Sequence, residues 1–228
     1  MSLPSPAPTR RVLLRTATGL ACAAVTVPAL ATAAAAAADP PGPSTPALPD
    51  SRPAGDHPRT GRNSANGWPM EKGADIGGAI WTRAVPGTGA GVALRLGAVS
   101  TVLVHVISRY HYEIAALEPD DVQGFKAPQG LTGYRTNYAS GTAVAIRPGA
   151  HPPGATGSLF PAQSAAIADI VADCAGVVRW GGTFDTPYEA HFQIDVPPSD
   201  DRLARLADRI GRRNLTLGQG PGTLALRG

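Results

Sequence analysis

Apolar residues recur through the middle of the chain with two different periods. Val92, Leu94 and Leu96 alternate with Ala93 and Arg95, the spacing of a half-buried strand. Val99, Leu103, Val106, Ile107, Tyr110, Ile114 and Leu117 then return every three or four residues. That spacing puts them on one helix face and predicts a helix from about Ser100 to Leu117, stopped before Pro119. Gly124 to Tyr134 reads as loop. Thr142 to Arg147 reads as a strand ended by Pro148-Gly149. Pro161 opens a second helix through Cys174, at the first-turn position where the missing N–H costs nothing. Val177 to Trp180 and Ala190 to Val196 are further strands. Ser199 is the predicted cap of a last amphipathic helix, with Leu203, Leu206 and Ile210 inward and Asp200 and Asp201 in its first turn. The chain after Arg213 is expected to be loose. Strands and helices alternate without a regular βαβ rhythm, which predicts an α+β fold.

The N-terminal residues carry a different pattern. Thr9-Arg10-Arg11-Val12-Leu13-Leu14-Arg15 sets paired arginines before an apolar stretch, Thr16 to Leu30, without an acidic residue. It exits through Ala29-Leu30-Ala31-Thr32-Ala33 and an alanine run. A charged start, a short apolar middle and a small-residue exit read as a removable signal over 1–38. The stretch is too short, and broken by Pro28, for a stable membrane span. Paired arginines point to the twin-arginine export route; an ordinary secretory signal whose arginines supply only charge is the alternative. Gly19-Leu20-Ala21 before Cys22 lacks the leucine of a lipid-anchor site. Residues 39–65 hold Pro, Gly, Ser, Asp and Arg with little to bury, so a disordered tether is expected. A folded domain over 66–198 follows, then a C-terminal helix and tail over 199–228. The expected location is extracytoplasmic, on the cell-wall side.

Removal of the signal changes the charge. The chain has 20 Lys and Arg against 17 Asp and Glu. Arg10, Arg11 and Arg15 leave with the signal and no acid does, so 17 of each sign remain. A balanced surface recommends neither nucleic acid nor an anionic membrane as partner. Cys174 is then the single cysteine, unable to close an internal disulfide, and reads as a buried inert thiol.

Most functional information lies in Thr136-Asn137-Tyr138-Ala139-Ser140-Gly141-Thr142-Ala143-Val144-Ala145. This segment resembles the signature Ser-x-His-x-x-Gly-x-Ala-x-Asp of the zinc D-alanyl-D-alanine carboxypeptidase and L-alanyl-D-glutamate peptidase family. Downstream, Gly176 to Phe184 and Tyr188-Glu189-Ala190-His191-Phe192-Gln193 resemble the family's second half, an acid three residues before a second His. Ser108 to Glu113 and His151 to Gly154 look like further landmarks. The resemblance covers roughly Val92 to Val196. It implies a hedgehog/DD-peptidase-like fold, a small mainly antiparallel sheet with helices packed against it. It also implies zinc as cofactor and a peptidoglycan stem peptide as ligand.

The positions that carry the family's chemistry are altered. Its zinc ligands are two His and one Asp, with a water in the fourth place. Tyr138 occupies the first His position, Ala145 the Asp position, and His191 alone keeps its type. Tyr188 stands at the general-base position, Thr183 at a frequent Asp, and Gln193 at a usual Glu. Ala145 offers no donor. A phenol with a pKa near ~10 must lose a proton to ligate, at a cost of about 4 kcal/mol at neutral pH. Tyrosine is also a poor base at that pH.

Repair is conceivable through Glu189, which in an extended strand shares a face with His191 and Gln193, or through His151 from its loop. Arg135 is a candidate clamp for a peptide carboxylate, with a plain surface charge as the alternative. Trp180 with Gly181-Gly182 reads as a strand-ending turn, or else as a substrate wall. His105 and His111 flank the first helix's apolar face in structural roles, and His57 falls in the tether. The leading expectation is a secreted, catalytically degenerate peptide-binding domain, its partner a wall peptide or a cell-wall protein. The rivals are an active zinc peptidase with a non-standard ligand set around His191, and a decayed relative that folds without a selected role.

Overall fold

The computed structural model describes residues 58–221. The predicted signal, most of the predicted tether with His57, and the last seven residues lie outside them. The strands are β1 (Arg59–Asn63), β2 (Pro69–Glu71), β3 (Ile80–Ala84), β4 (Gly91–Arg95), β5 (Val122–Gln123), β6 (Ala143–Ile146), β7 (Val178–Trp180) and β8 (His191–Ile194). The α-helices are α1 (Ala98–Glu113), α2 (Thr136–Ala139), α3 (Pro161–Asp173) and α4 (Asp201–Leu215). Mixed helices with small antiparallel sheets make the protein α+β, as the pattern predicts. β1 pairs with β2, β3 with β4, and the central sheet runs β5-β6-β8-β7, every pair antiparallel.

The pleat of that sheet explains how the site is positioned. Successive strand residues face opposite sides. From β6 and β8, Val144, Ile146, Phe192 and Ile194 enter the main core. There they meet Val102, Leu103, Val106, Ile107 and Tyr110 of α1, Ile167 and Ile170 of α3, and Leu203, Leu206 and Ile210 of α4. Each such side chain, fully buried, contributes roughly 1.5–3 kcal/mol of hydrophobic stabilisation before entropy is counted. The alternate residues turn to the other face, where Ala143 and Ala145 join Tyr138, Tyr188 and Ala190 in a second cluster. One face is therefore core, and the other carries the candidate site.

Several boundaries differ from the expectations. β1 lies within residues assigned to the tether, and pairs with β2 through a turn held by Ser64 and Trp68. The helix over 201–215 belongs to the same core as 66–198 and is not a separate appendage. Asp200, not Ser199, caps it, its carboxylate accepting the Arg202 N–H at 2.9 Å. α1 stops at Glu113, short of Leu117. Tyr110 O accepts both the Ile114 and Ala115 N–H groups, and His111 Nδ1 accepts the Leu117 N–H at 2.9 Å. Leu117 thus stays on the core by folding back, with His111 as the side chain that holds it. β3 escaped the periodicity because only Ile80 of its five residues is buried. Cys174 is buried as expected, and burial pushes its thiol up to about 12.

Candidate functional site

His191 opens β8 and is wholly buried. Its neighbours come from three segments. Ala145 stands opposite it in the β6–β8 register. Tyr138, on the one-turn helix α2, brings its hydroxyl 2.7 Å from His191 Nδ1. Tyr188 stacks on the imidazole with centroids 6.0 Å apart and planes 16° from parallel. The fold therefore gathers Tyr138, Ala145, Tyr188 and His191, the four positions at which the family resemblance locates ligands and base. Tyr134 and Phe184 complete the enclosure, with centroids 4.9 Å and 5.5 Å from the imidazole.

The hydrogen-bond network fixes the tautomer from its ends. Asp195, a carboxylate, can only accept, so the Gln193 amide nitrogen donates to its Oδ1 at 2.8 Å. Gln193 Oε1 is then turned inward, toward His191 Nε2 at 3.0 Å and Asn137 Nδ2 at 2.9 Å. Asn137 agrees, since its Oδ1 accepts the Asn66 N–H at 3.1 Å. His191 accordingly carries its proton on Nε2, and Tyr138 donates to the lone pair on Nδ1. Both ring nitrogens are satisfied inside the protein. Burial lowers the imidazole pKa to about 4, so the ring is neutral at physiological pH. Burial likewise holds the Tyr138 phenol above the ordinary tyrosine value, with Tyr188 and Tyr134 adding to the effect.

This donor set does not fit zinc. The one imidazole present has its free lone pair occupied, and the phenol that occupies it is harder to ionise than a solvated tyrosine. Ala145 has no donor atom, whereas zinc sites use three or four protein donors. Among the described residues, no three His, Cys, Asp or Glu side chains gather in a way that could hold a metal ion.

The two candidates for repair are engaged elsewhere. Glu189 precedes β8 and does not extend it, so the expected shared face begins at His191; His191 and Gln193 do share it. The Glu189 carboxylate accepts the Gly157 N–H at 2.9 Å, the Ser158 N–H at 3.0 Å and the Ser158 hydroxyl. His151 is buried between the Tyr110 hydroxyl, 3.2 Å from Nε2, and the Ser158 hydroxyl, 2.6 Å from Nδ1. The sequence Tyr110–His151–Ser158–Glu189 is a continuous relay that ties loop 151–158 to α1 and to the approach to β8.

Trp180 ends β7, as expected, before a 3-10 turn at Gly181–Thr183. Its indole N–H donates to Glu189 O at 2.7 Å. A Cβ on Gly182 would lie 2.3 Å from the indole ring, and one on Gly181 would lie 2.6 Å from Tyr188 O. The two glycines are therefore steric requirements of the turn that backs onto His191. Arg135 is exposed one turn before Tyr138, without an ion pair among the described residues. Lys126 Nζ lies 5.1 Å from the Tyr138 ring centroid, and the Arg179 guanidinium 4.8 Å from that of Phe184. Three cations thus border an aromatic surface, which suits an anionic group.

Sequence reasoning missed Asn66, Asn137, Asp195 and Phe184. Asn66 alone binds Thr142 Oγ1 and Ile194 O at 2.8 Å each. An isolated asparagine in a turn carries no sequence signal for such long-range partners.

Compared with known proteins, the chain matches no family model, no curated protein and no solved structure.

Proposed function

We propose that this protein is an exported, cell-wall-associated domain with a hedgehog/DD-peptidase-like fold that binds a wall peptide without cutting it. The observation that carries the reading is the Tyr138 hydroxyl seated 2.7 Å from His191 Nδ1, where the resemblance calls for a metal. A second support is the convergence of Tyr138, Ala145, Tyr188 and His191 from three separate segments. That convergence follows if the fold is inherited from an enzyme whose ligands stood at those positions. The exposed Arg135 with Tyr134 and Phe184 supplies a rim that suits the carboxylate of a stem peptide. Export rests on the paired arginines and apolar stretch of the N-terminal sequence. Among the described residues no helix is long and apolar enough to cross a membrane.

The test pairs the natural domain with Tyr138→His/Ala145→Asp/Tyr188→Asp. Elemental analysis is expected to find zinc bound to the triple variant and not to the natural protein. The natural protein is expected to sediment with peptidoglycan and leave its stem peptides uncut. Near-stoichiometric zinc in the natural protein would overturn the reading in favour of an active peptidase with substitute donors.

A further inference from the structure

The chain around the His191 cluster is poor in acid. From Val122 to Ala168 it holds no Asp or Glu, and from Cys174 to Phe184 none again. These runs carry Lys126, Arg135 and Arg179, all exposed and none in an ion pair among the described residues. Two nearby carboxylates are already engaged. Glu189 accepts from Gly157 and Ser158, and Asp195 from the Gln193 amide. Asp185, exposed after Phe184, still leaves this part of the surface with an excess of positive charge.

The aromatic rings set where the cations stand. The Arg179 guanidinium lies 4.8 Å from the Phe184 centroid, and Lys126 Nζ 5.1 Å from that of Tyr138. Phe184 meets Tyr134 at 4.9 Å, and Arg135 follows Tyr134 in the 3-10 turn at Gly133–Arg135. Burial raises the Tyr138 and Tyr188 phenols, and the Arg135 charge opposes it at both, so the guanidinium stands near both hydroxyls. Arg135 and Arg179 thus flank the half-buried Tyr134–Phe184 pair, with Lys126 further along the same row of rings.

A guanidinium stacked on a ring keeps its N–H edge free, and that edge matches a carboxylate in bidentate geometry. A ligand with one carboxylate answers one of the two arginines. A ligand with two answers both.

We propose that this face selects peptides with two free carboxylates, one at Arg135 and one at Arg179, their backbone laid on Tyr134 and Phe184, and rejects the same peptides once a carboxylate is amidated. The inference rests on the wall-peptide reading above and names which form of the peptide is held. Lys126 adds attraction at longer range without a fixed partner, and salt screens it.

The test is calorimetric titration of the natural protein with acetyl-L-alanyl-γ-D-glutamyl-L-alanyl-D-alanine, which has two carboxylates, with each of its monoamides and with the diamide. The diacid is expected to bind, each monoamide about tenfold more weakly, and the diamide more weakly than either. Arg135→Gln is expected to bind the diacid and one monoamide equally, and Arg179→Gln the diacid and the other monoamide, both with melting temperatures unchanged. Lys126→Gln is expected to weaken the diacid several-fold and to flatten its dependence on salt. Equal binding of diacid and diamide, or binding of neither, would overturn the inference. Sedimentation with peptidoglycan separates that failure from failure of the function itself. Peptidoglycan whose carboxylates have been amidated with carbodiimide and ammonia is expected to lose the protein that untreated peptidoglycan retains. Equal retention on both would overturn the carboxylate selectivity alone; retention on neither would overturn the wall-peptide reading with it.

Discussion

His191 and His105 are almost equally withdrawn from solvent, with exposures of 0% and 6%, yet their nitrogens meet opposite circumstances. His191 lies between Tyr138 and Gln193, each ring nitrogen answered by a partner of the right polarity. His105 has neither nitrogen answered. Burial lowers the pKa of both rings, so each sits in the fold as a neutral imidazole. The difference is one of completeness. Around His191, the surrounding side chains satisfy one another in a closed aromatic cluster. Around His105, the closest polar atom is Asp173 Oδ2, 3.8 Å from Nε2, and the enclosed ring has no partner at ordinary hydrogen-bond distance. A buried polar network closed on itself serves the fold, and an unanswered buried polar group weakens it.

The largest expected effect comes from acid. His191 is neutral in the fold down to about 4, while in the unfolded chain it takes a proton near the ordinary 6.5. Its contribution is therefore complete above 6.5 and is lost as pH falls from there to about 4. Near the lower limit the loss amounts to about 3 kcal/mol. Urea denaturation across that range should show it, and imidazole NMR should find the proton on Nε2 and the His191 midpoint well below 6.5. A midpoint at or above 6.5 would remove the premise that the His191 network is closed.

Tyr138→Phe opens that network without changing its shape. The Nδ1 lone pair of His191 would be left buried and unpaired, at a cost of about 2 kcal/mol in unfolding free energy. A loss below a few tenths of a kcal/mol would mean that the hydroxyl contact is idle. His105→Leu should act in the opposite direction. Removing two unanswered polar atoms from an apolar helix face is expected to stabilise by about 1 kcal/mol. Destabilisation by His105→Leu would instead show that the 3.8 Å approach to Asp173 already serves the fold, and the contrast between the two histidines would collapse.

Legibility in the sequence follows the range of each interaction. α1 and α4 were readable because their apolar residues repeat within a few positions, α3 from the proline that opens it, β4 because its residues alternate, and β6 from the Pro148-Gly149 stop that follows it. β3 was not, since four of its five residues are exposed and nothing in their order marks a strand. β5 has two residues, too few for any period. The gathering of Tyr138, Ala145, Tyr188 and His191 was anticipated only through the resemblance. Glu189 was misplaced because strand periodicity was extended two residues before β8 begins.

By itself the sequence determined the α+β composition, the apolar faces of its helices and the residue types at the site, among them Tyr138 and Ala145. Those are properties of residue type and near-neighbour spacing. Only the tertiary structure decided that Tyr138 meets His191 across 53 residues. It also decided that Asp195 and Asn66 orient Gln193 and Asn137, and that Asp173 is the carboxylate that approaches His105. Hydrogen-bond partners and close approaches depend on ångström-scale positions in three dimensions, and no pattern along one dimension encodes them.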